Sequence, residues 1–128
     1  MRVDDVMIGD WVHIKNGRNL QLELDQFYAQ GCHCFKGDII DYFESFETIT
    51  LTAEILEKNG FEKDEEMNFV IRGDDFFINL WIMPLCIEFY FTSYYDTNEM
   101  RINIDYVHEL QQALRLVGLN DFANNFKI

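Results

Sequence analysis

Apolar and polar residues alternate through most of the chain between residues 67 and 104, and this pattern constrains the fold more than any other feature. Side chains of a β-strand point alternately to the two faces of a sheet, so a period of two predicts strands with one buried face. Turn residues separate the runs at Gly73-Asp74, at Pro84 and at Asp96-Thr97-Asn98. The pattern predicts a four-stranded antiparallel meander whose apolar face needs a cover. That face is predicted to contain Met67, Phe69, Ile71, Phe76, Ile78, Leu80, Ile82, Leu85, Ile87, Phe89, Phe91, Ile102 and Ile104.

Two helices are predicted to flank this meander in sequence. The first begins after Thr52, a suitable N-cap, and ends at Asn59-Gly60, where glycine suits the left-handed position that follows a helix. The second has Asp105 as its predicted N-cap, ends at Gly118 and is amphipathic, so it is the predicted cover of the meander. Its apolar stripe comprises Val107, Leu110, Leu114 and Val117, and its other side comprises Gln111, Gln112 and Arg115.

The first 48 residues predict a second, smaller β-structure. Val12 and Ile14 alternate with polar neighbours and precede Asn16-Gly17, which is typical of a two-residue hairpin turn. Further short strands are predicted at 20–24, 27–29, 32–35 and 39–43, a pattern typical of a small bent sheet or barrel. The tail, residues 119–128, is predicted to form a short strand or to lie on the surface. The fold class is α+β, in a single domain 1–128 that can be divided into subdomains 1–48 and 49–128.

The charge of the chain bears on its partners. Ten Lys and Arg face 23 Asp and Glu, so the net charge is −13, and residues 38–66 alone hold ten acids and two bases, a net −8. Such a charge repels nucleic acid and anionic membrane, so direct binding to either is not expected. The longest apolar stretch, 76–91, is too short and too interrupted to span a bilayer. The start of the chain has no signal-peptide pattern, so a cytoplasmic location is predicted.

Few residues suggest catalysis. Cys32-His33-Cys34 would place two thiols about 6.6 Å apart on one face of a strand, too far for a shared zinc ion without a bend. The chain contains no P-loop, dinucleotide-binding glycine motif, serine elbow or calcium loop. Cys86 and His108 fit packing or capping roles, with His108 neutral in the first turn of its helix. No catalytic residue, cofactor or metal ion is therefore predicted.

Acidic residues recur every third position in the segment 38–47, with aromatic residues between them. One interpretation is that the aromatic residues belong to the core and the acids are solvated. The other is an interaction surface, in which aromatic anchors rimmed by carboxylates bind a basic partner and the carboxylates stand in for phosphates. The predicted contact set is Asp38, Asp41, Tyr42, Glu44, Phe46 and Glu47.

Three blocks of the sequence carry a resemblance to a known family. They are IGDWV at 8–12, LTAEILEKNGF at 51–61 and IDYVHELQ at 104–111. In this order they resemble a family of short uncharacterised proteins carried by bacterial phages, prophages and mobile elements, although that family often has prolines where this chain has Thr48 and Thr50. No catalytic residue carries over from the family. The resemblance implies a viral or mobile-element origin, and hence an action on host machinery.

These observations predict a non-catalytic, acidic protein of phage type. It is expected to bind a basic surface of a host protein, a nucleic-acid-binding enzyme, and to block nucleic-acid access as anti-CRISPR or anti-restriction inhibitors do. One alternative is a self-associating structural or assembly protein, such as a homodimer, joined through an edge strand or an aromatic face. Another is a small ligand-binding protein or enzyme with a pocket between sheet and helix.

Overall fold

A computed structural model of the protein describes residues 5–14, 17–23, 46–65, 67–95 and 99–128. Two antiparallel sheets and three helices occupy these ranges. The α+β class predicted from the sequence is confirmed. The predicted strands at 27–29, 32–35 and 39–43, and the Cys32-His33-Cys34 motif, lie outside the described residues.

The smaller sheet contains three strands in the order β2-β1-β3. They are β1 (Trp11–Ile14), β2 (Asn19–Gln21) and β3 (Phe46–Glu47). Val12 is completely buried, and Phe46 packs with it in a small apolar cluster that also contains Val6 and Leu22. Burial of alternate residues is what the period of two in this segment predicts.

The turn between β1 and β2 differs from the predicted one. His13 pairs with Asn19 and Ile14 N donates to Arg18 O at 2.9 Å, so the connection is longer than two residues. Gly17 lacks the positive φ that a type I′ turn needs at its central positions, since Gly9, Gly60 and Gly118 are the glycines with positive φ among the described residues. The hairpin is confirmed, and the prediction of a two-residue turn is wrong.

The larger sheet has five antiparallel strands in sequence order. All of its predicted inward-facing residues except Met67 and Leu85 form the core or pack against it, and Ile78, Leu80 and Phe89 are completely buried. Leu80 pairs with Phe89 across the two central strands. The meander is therefore confirmed, with one strand added at its start. The strands are β4 (Glu62–Glu65), β5 (Asn68–Arg72), β6 (Phe76–Ile82), β7 (Ile87–Ser93) and β8 (Glu99–Ile104).

Two features of this sheet differ from the prediction. No strand was predicted between the first helix and residue 67, whereas 62–65 forms edge strand β4, in which Glu62 pairs with Val70 and Lys63 with Phe69. An edge strand with charged side chains lacks apolar alternation, and it also resists pairing with other molecules. Met67, just before β5, is 46% exposed and Leu85, in the turn between β6 and β7, is 95% exposed, so their predicted place on the apolar face is wrong.

The helices are α1 (Ala53–Lys58), α2 (Val107–Leu116) and α3 (Asn120–Asn124). Thr52 caps α1 as predicted, because its hydroxyl accepts from Ile55 N at 3.3 Å. Gly60 and Gly118 follow α1 and α2 with φ of 89° and 87°, also as predicted. The predicted N-cap Asp105 is one residue early, since Tyr106 holds that position. The tail forms α3 and buries Ala123 and Phe126, so the predicted strand or surface tail is wrong.

Helix α2 covers the inner face of the large sheet. Its Val107, Leu110 and Leu114 are completely buried, and the core they join extends to Leu56 of α1 and Phe126 of the tail. None of the helices in the described ranges has the length and apolar composition needed to cross a bilayer.

Candidate functional site

The side of α2 that faces away from the large sheet holds the small sheet in place. Gln111 is completely buried there. Its Nε2 donates to Gly9 O at 2.7 Å and to Ala123 O at 2.9 Å, and its Oε1 accepts from Trp11 N at 2.8 Å. One side chain thus joins β1, α2 and α3, and the two bonds that its Nε2 donates are buried.

Asp10 forms the second part of this junction and is also completely buried. Its Oδ1 accepts from Arg115 Nη1, and its Oδ2 accepts from Met7 N and Gln112 Nε2, each at 2.8 Å. A buried carboxylate is tolerated only when it is paired and hydrogen-bonded in this way. Charge and hydrogen bonding therefore fix the small sheet against α2.

The junction leaves an open cleft of about 690 Å³ beside the start of α2. A volume of this size is typical of sites that bind small molecules or single side chains. Residues at the end of β3 form one wall and the first turn of α2 forms the other. We call this feature the acidic cleft, and its described lining comprises Asp5, Phe46, Glu47, Thr48, Tyr106, His108, Glu109 and Gln112.

His108 lies in the wall of the acidic cleft and is only 6% exposed. Burial lowers the pKa of His108 from its ordinary value, and this effect outweighs the carboxylates of Asp10, Glu109 and Asp5, which raise it. Burial therefore favours the neutral imidazole. Its Nδ1 is buried without a hydrogen-bond partner among the described residues, which the sequence did not predict. A buried polar atom without a partner is uncommon and calls for an explanation.

The first turn of α2 holds the remaining groups of this wall. Glu109 Oε1 accepts from Asp105 N at 2.9 Å and from Tyr106 N at 3.1 Å, so Glu109 does the capping that had been predicted for Asp105. The rings of Tyr106 and His108 are nearly parallel, 7° apart, with centroids separated by 6.0 Å. The wall is therefore partly aromatic and rigidly held.

The described lining of the acidic cleft includes three acids, Asp5, Glu47 and Glu109, and neither a lysine nor an arginine. Carboxylates in a partly enclosed space attract a cationic group and repel an anion. No cluster of three or more metal-ligating side chains occurs in the part of the chain that the structure describes. The arrangement suits an organic cation better than a metal ion.

The predicted contact set is only partly described. Asp38, Asp41, Tyr42 and Glu44 lie outside the described residues. Glu47 is exposed and lines the acidic cleft. Phe46 lines the same cleft but is 2% exposed and belongs to the small core, so it takes the core role that was the alternative interpretation for the aromatic residues of this segment. The structure does not support Phe46 as a surface anchor.

The sequence interpretation missed the residues of the junction. Gln111 and Arg115 were assigned only to the polar side of α2, because helical periodicity separates polar from apolar positions and does not reveal a polar partner about 100 residues away. The sequence did offer one usable signal, because residues of the junction lie in two of the three blocks. Asp10 and Trp11 lie in the block at 8–12, and Gln111 ends the block at 104–111.

The block at 51–61 and the segment before it reach the same region. Leu51 N donates to Asp105 O at 3.3 Å, and Val107 N donates to Ile49 O at 2.9 Å. Thr50 and Tyr106 form the bridge between these two bonds. The three blocks at 8–12, 51–61 and 104–111 thus meet around the start and the polar side of α2.

Comparison with known proteins gives no match to a family model, a curated protein or a solved structure.

Proposed function

We propose that this chain is a non-catalytic, acidic protein of phage or mobile-element type that acts in the host cytoplasm. It binds a basic surface of a host protein that handles nucleic acid, and it blocks nucleic-acid access to that surface. The observation that carries the proposal is the net charge of −13, of which −8 lies within residues 38–66. The acidic cleft supports it, since Glu47 places the end of the predicted contact set on the rim of a site lined by carboxylates.

Electrostatic attraction is the proposed mechanism of binding. Opposite charge accelerates the encounter of two proteins and orients them before contact. A surface that binds nucleic acid presents Lys and Arg where the phosphates lie. Carboxylates on a folded domain can occupy the positions of those phosphates. The bound inhibitor then excludes nucleic acid by occupancy and by repulsion, and no chemical step is required.

The experiment is an affinity capture from bacterial lysate at low and high salt, read by mass spectrometry. We expect a basic nucleic-acid-binding protein that is retained at low salt, released at high salt and displaced by DNA or RNA. The site variant reverses three charges of the contact set, at Asp41, Glu44 and Glu47, to lysine, and it should lose the partner.

A control variant separates a specific surface from general acidity. It reverses the same number of charges at exposed positions away from the acidic cleft, at Glu57, Asp74 and Asp75. We expect this control to keep most of the binding. Equal loss in both variants would show that only net charge matters, and capture of the chain by itself alone would overturn the proposal.

Self-association is a second candidate function, and one surface favours it. Met67, Trp81 and Leu85 lie at the same end of the large sheet and are 46%, 48% and 95% exposed. Exposed apolar groups of this size at one location are typical of interaction sites. A molar mass that rises with protein concentration and does not change with salt would favour this candidate, and Trp81→Ser should then restore the monomer.

A further inference from the structure

The orphan nitrogen of His108 indicates that the acidic cleft is a ligand site. His108 is 94% buried (6% exposed) and lines the cleft, yet its Nδ1 has no hydrogen-bond partner in the part of the chain that the structure describes. A buried nitrogen that has lost its bond to water without gaining a protein partner destabilises the ligand-free protein. A ligand that supplies the missing hydrogen bond removes that cost. In the neutral imidazole with hydrogen on Nε2, Nδ1 is an acceptor. A ligand with several N–H donors fits this nitrogen.

The charges around the cleft favour a cationic ligand over an anionic one. The start of a helix of ten residues ordinarily favours an anion, because its first N–H groups are unpaired. Here Val107 N, the first N–H group of the helix, already donates to Ile49 O at 2.9 Å, and the carboxylate of Glu109 lies at the same helix end, where its Oε1 accepts from Asp105 N and Tyr106 N. An incoming anion would also meet the carboxylates of Asp5, Glu47 and Glu109 with no lysine or arginine among the described lining residues.

The geometry of the acceptors favours a planar cation over a compact one. Carboxylates come from two walls, Glu47 from the end of β3 and Glu109 from α2, and Nδ1 of His108 lies in the second wall. The nearly parallel rings of Tyr106 and His108 give that wall a flat aromatic surface. A guanidinium group has five N–H donors in one plane and stacks on aromatic rings, whereas an ammonium group does neither.

We propose that the acidic cleft receives the guanidinium group of one arginine side chain from the basic partner. The arginine donates to the carboxylates of Glu47 and Glu109 and to Nδ1 of His108, and it stacks against Tyr106. This inference rests on the proposed function, since it names the group of the partner that the acidic surface recognises.

The test is an NMR titration of the ¹⁵N-labelled full chain with N-acetyl-arginine-N-methylamide. We expect the largest shifts in the amides of residues 46–48 and 106–112. The matched citrulline derivative has the same shape without the charge and should produce no such shifts. The lysine derivative should bind several times more weakly, and inorganic phosphate should leave the cleft unchanged.

Three variants test the assigned groups. Glu47→Gln removes a charge at an exposed position, and Glu109→Gln removes a charge while keeping an oxygen that caps the helix. Each should weaken the arginine derivative about two- to fivefold, the range of a partly exposed ion pair. His108→Phe keeps a ring beside Tyr106, removes Nδ1 and should also weaken binding. Glu57→Gln removes an exposed charge outside the cleft and should have no effect.

The outcomes separate this inference from the proposed function. Four outcomes would each overturn the guanidinium site. The shifts could map away from the cleft, or Glu57→Gln could weaken binding as much as Glu47→Gln. The lysine or citrulline derivative could bind as well as the arginine derivative, or phosphate could shift the amides of the cleft. The proposed function stands in those cases if reversing Asp41, Glu44 and Glu47 still abolishes partner capture. If the arginine derivative binds as expected and no basic partner is captured, the site is confirmed and the proposed function fails.

Discussion

Arg115 donates from Nη1 to Oδ1 of Asp10 across 105 positions of the sequence, and the Asp10 side chain is completely buried. This ion pair joins the start of the chain to the last turn of α2. The Arg115 side chain is 11% exposed and also donates from Nη2 to Asn124 Oδ1 at 3.3 Å. The guanidinium therefore connects the small sheet, α2 and α3 at one point.

Removal of this guanidinium is predicted to destabilise the whole fold. Arg115→Met keeps a long apolar side chain but leaves the Asp10 carboxylate buried without a countercharge. Because an unpaired buried charge is costly, we expect the free energy of unfolding to fall by about 3 kcal/mol. Urea unfolding at pH 7, followed by circular dichroism, measures this loss.

An exposed ion pair in the same chain is the control. Arg72 lies 3.5 Å from Asp64, and the two side chains are 55% and 51% exposed. Arg72→Met should cost less than about 1 kcal/mol, because water solvates the remaining carboxylate. Equal losses in the two variants would show that burial of Asp10 is not what makes the first pair important.

Gly9 is predicted to tolerate no side chain, for two separable reasons. Its φ is +93°, and an added Cβ would lie 2.7 Å from Asn124 Oδ1 and 2.8 Å from Arg115 Nη2. Gly60 has a similar φ of +89°, with nothing within 4 Å of an added Cβ. Gly60→Ala should therefore cost only the left-handed strain of about 1–2 kcal/mol. Gly9→Ala should cost more, and thermal unfolding of both variants under one set of conditions tests whether it does.

The alternation of the large sheet made much of the fold predictable. Ile78, Leu80 and Phe89 were assigned to one face, and all three are completely buried, because strand geometry and burial impose the same period. Strand β4 was not predictable from local pattern. Its four residues are charged, and only the pairing of Glu62 and Lys63 with β5 makes them a strand. Tertiary pairing overrides local propensity at such an edge.

The candidate site was predicted less well than the fold. The sequence placed Glu47 in an acidic contact set and His108 in the first turn of a helix, and both line the acidic cleft. Their proximity depends on the junction formed by Gln111 and Asp10, whose partners lie about 100 residues away. Single-sequence periodicity carries no information on such contacts.

Gln111 is predicted to be the most sensitive amide of the junction. Gln111→Met keeps the volume but removes three hydrogen bonds, to Gly9 O, Ala123 O and Trp11 N. Gly9 O keeps the bond from Gln21 Nε2 and Ala123 O keeps the bond from Phe126 N, so Trp11 N is the group that loses most. We expect a loss of about 3 kcal/mol in the free energy of unfolding, since each hydrogen bond contributes about 1 kcal/mol. Native-state hydrogen exchange should also show faster exchange at the Trp11 amide.

Gln21 provides the matched control for this loss. Its Nε2 donates to the same Gly9 O at 2.9 Å and to Asn124 O at 2.7 Å, but its side chain is only half-buried. Water can replace the bonds that Gln21→Met removes, so this variant should cost about 1 kcal/mol or less. If the Gln21 variant loses as much stability as the Gln111 variant, the buried amide is not the key element of the junction.

The ionisation of His108 depends on several groups around it. Burial has the largest effect and lowers the pKa of His108, while Asp10, Glu109 and Asp5 act in the opposite direction. Glu47 and Tyr106 line the same cleft. Since burial prevails, the folded protein holds this proton less tightly than the unfolded chain does.

His108 is therefore predicted to make the protein less stable as the pH falls below 6.5, the ordinary pKa of histidine. Below that pH the unfolded chain gains a proton at this position, whereas the folded chain does so only at a lower pH. Unfolding is therefore increasingly favoured until the pH passes the folded pKa.

His108→Phe removes this contribution, and its free energy of unfolding should fall less between pH 7.5 and 5.5 than that of the parent. His13→Phe removes an imidazole of β1 that hydrogen-bonds Asn19 and leaves the buried one in place, so it should keep the dependence due to His108. Urea unfolding at four pH values measures the three curves, and identical curves for the parent and His108→Phe would contradict a pKa lowered by burial.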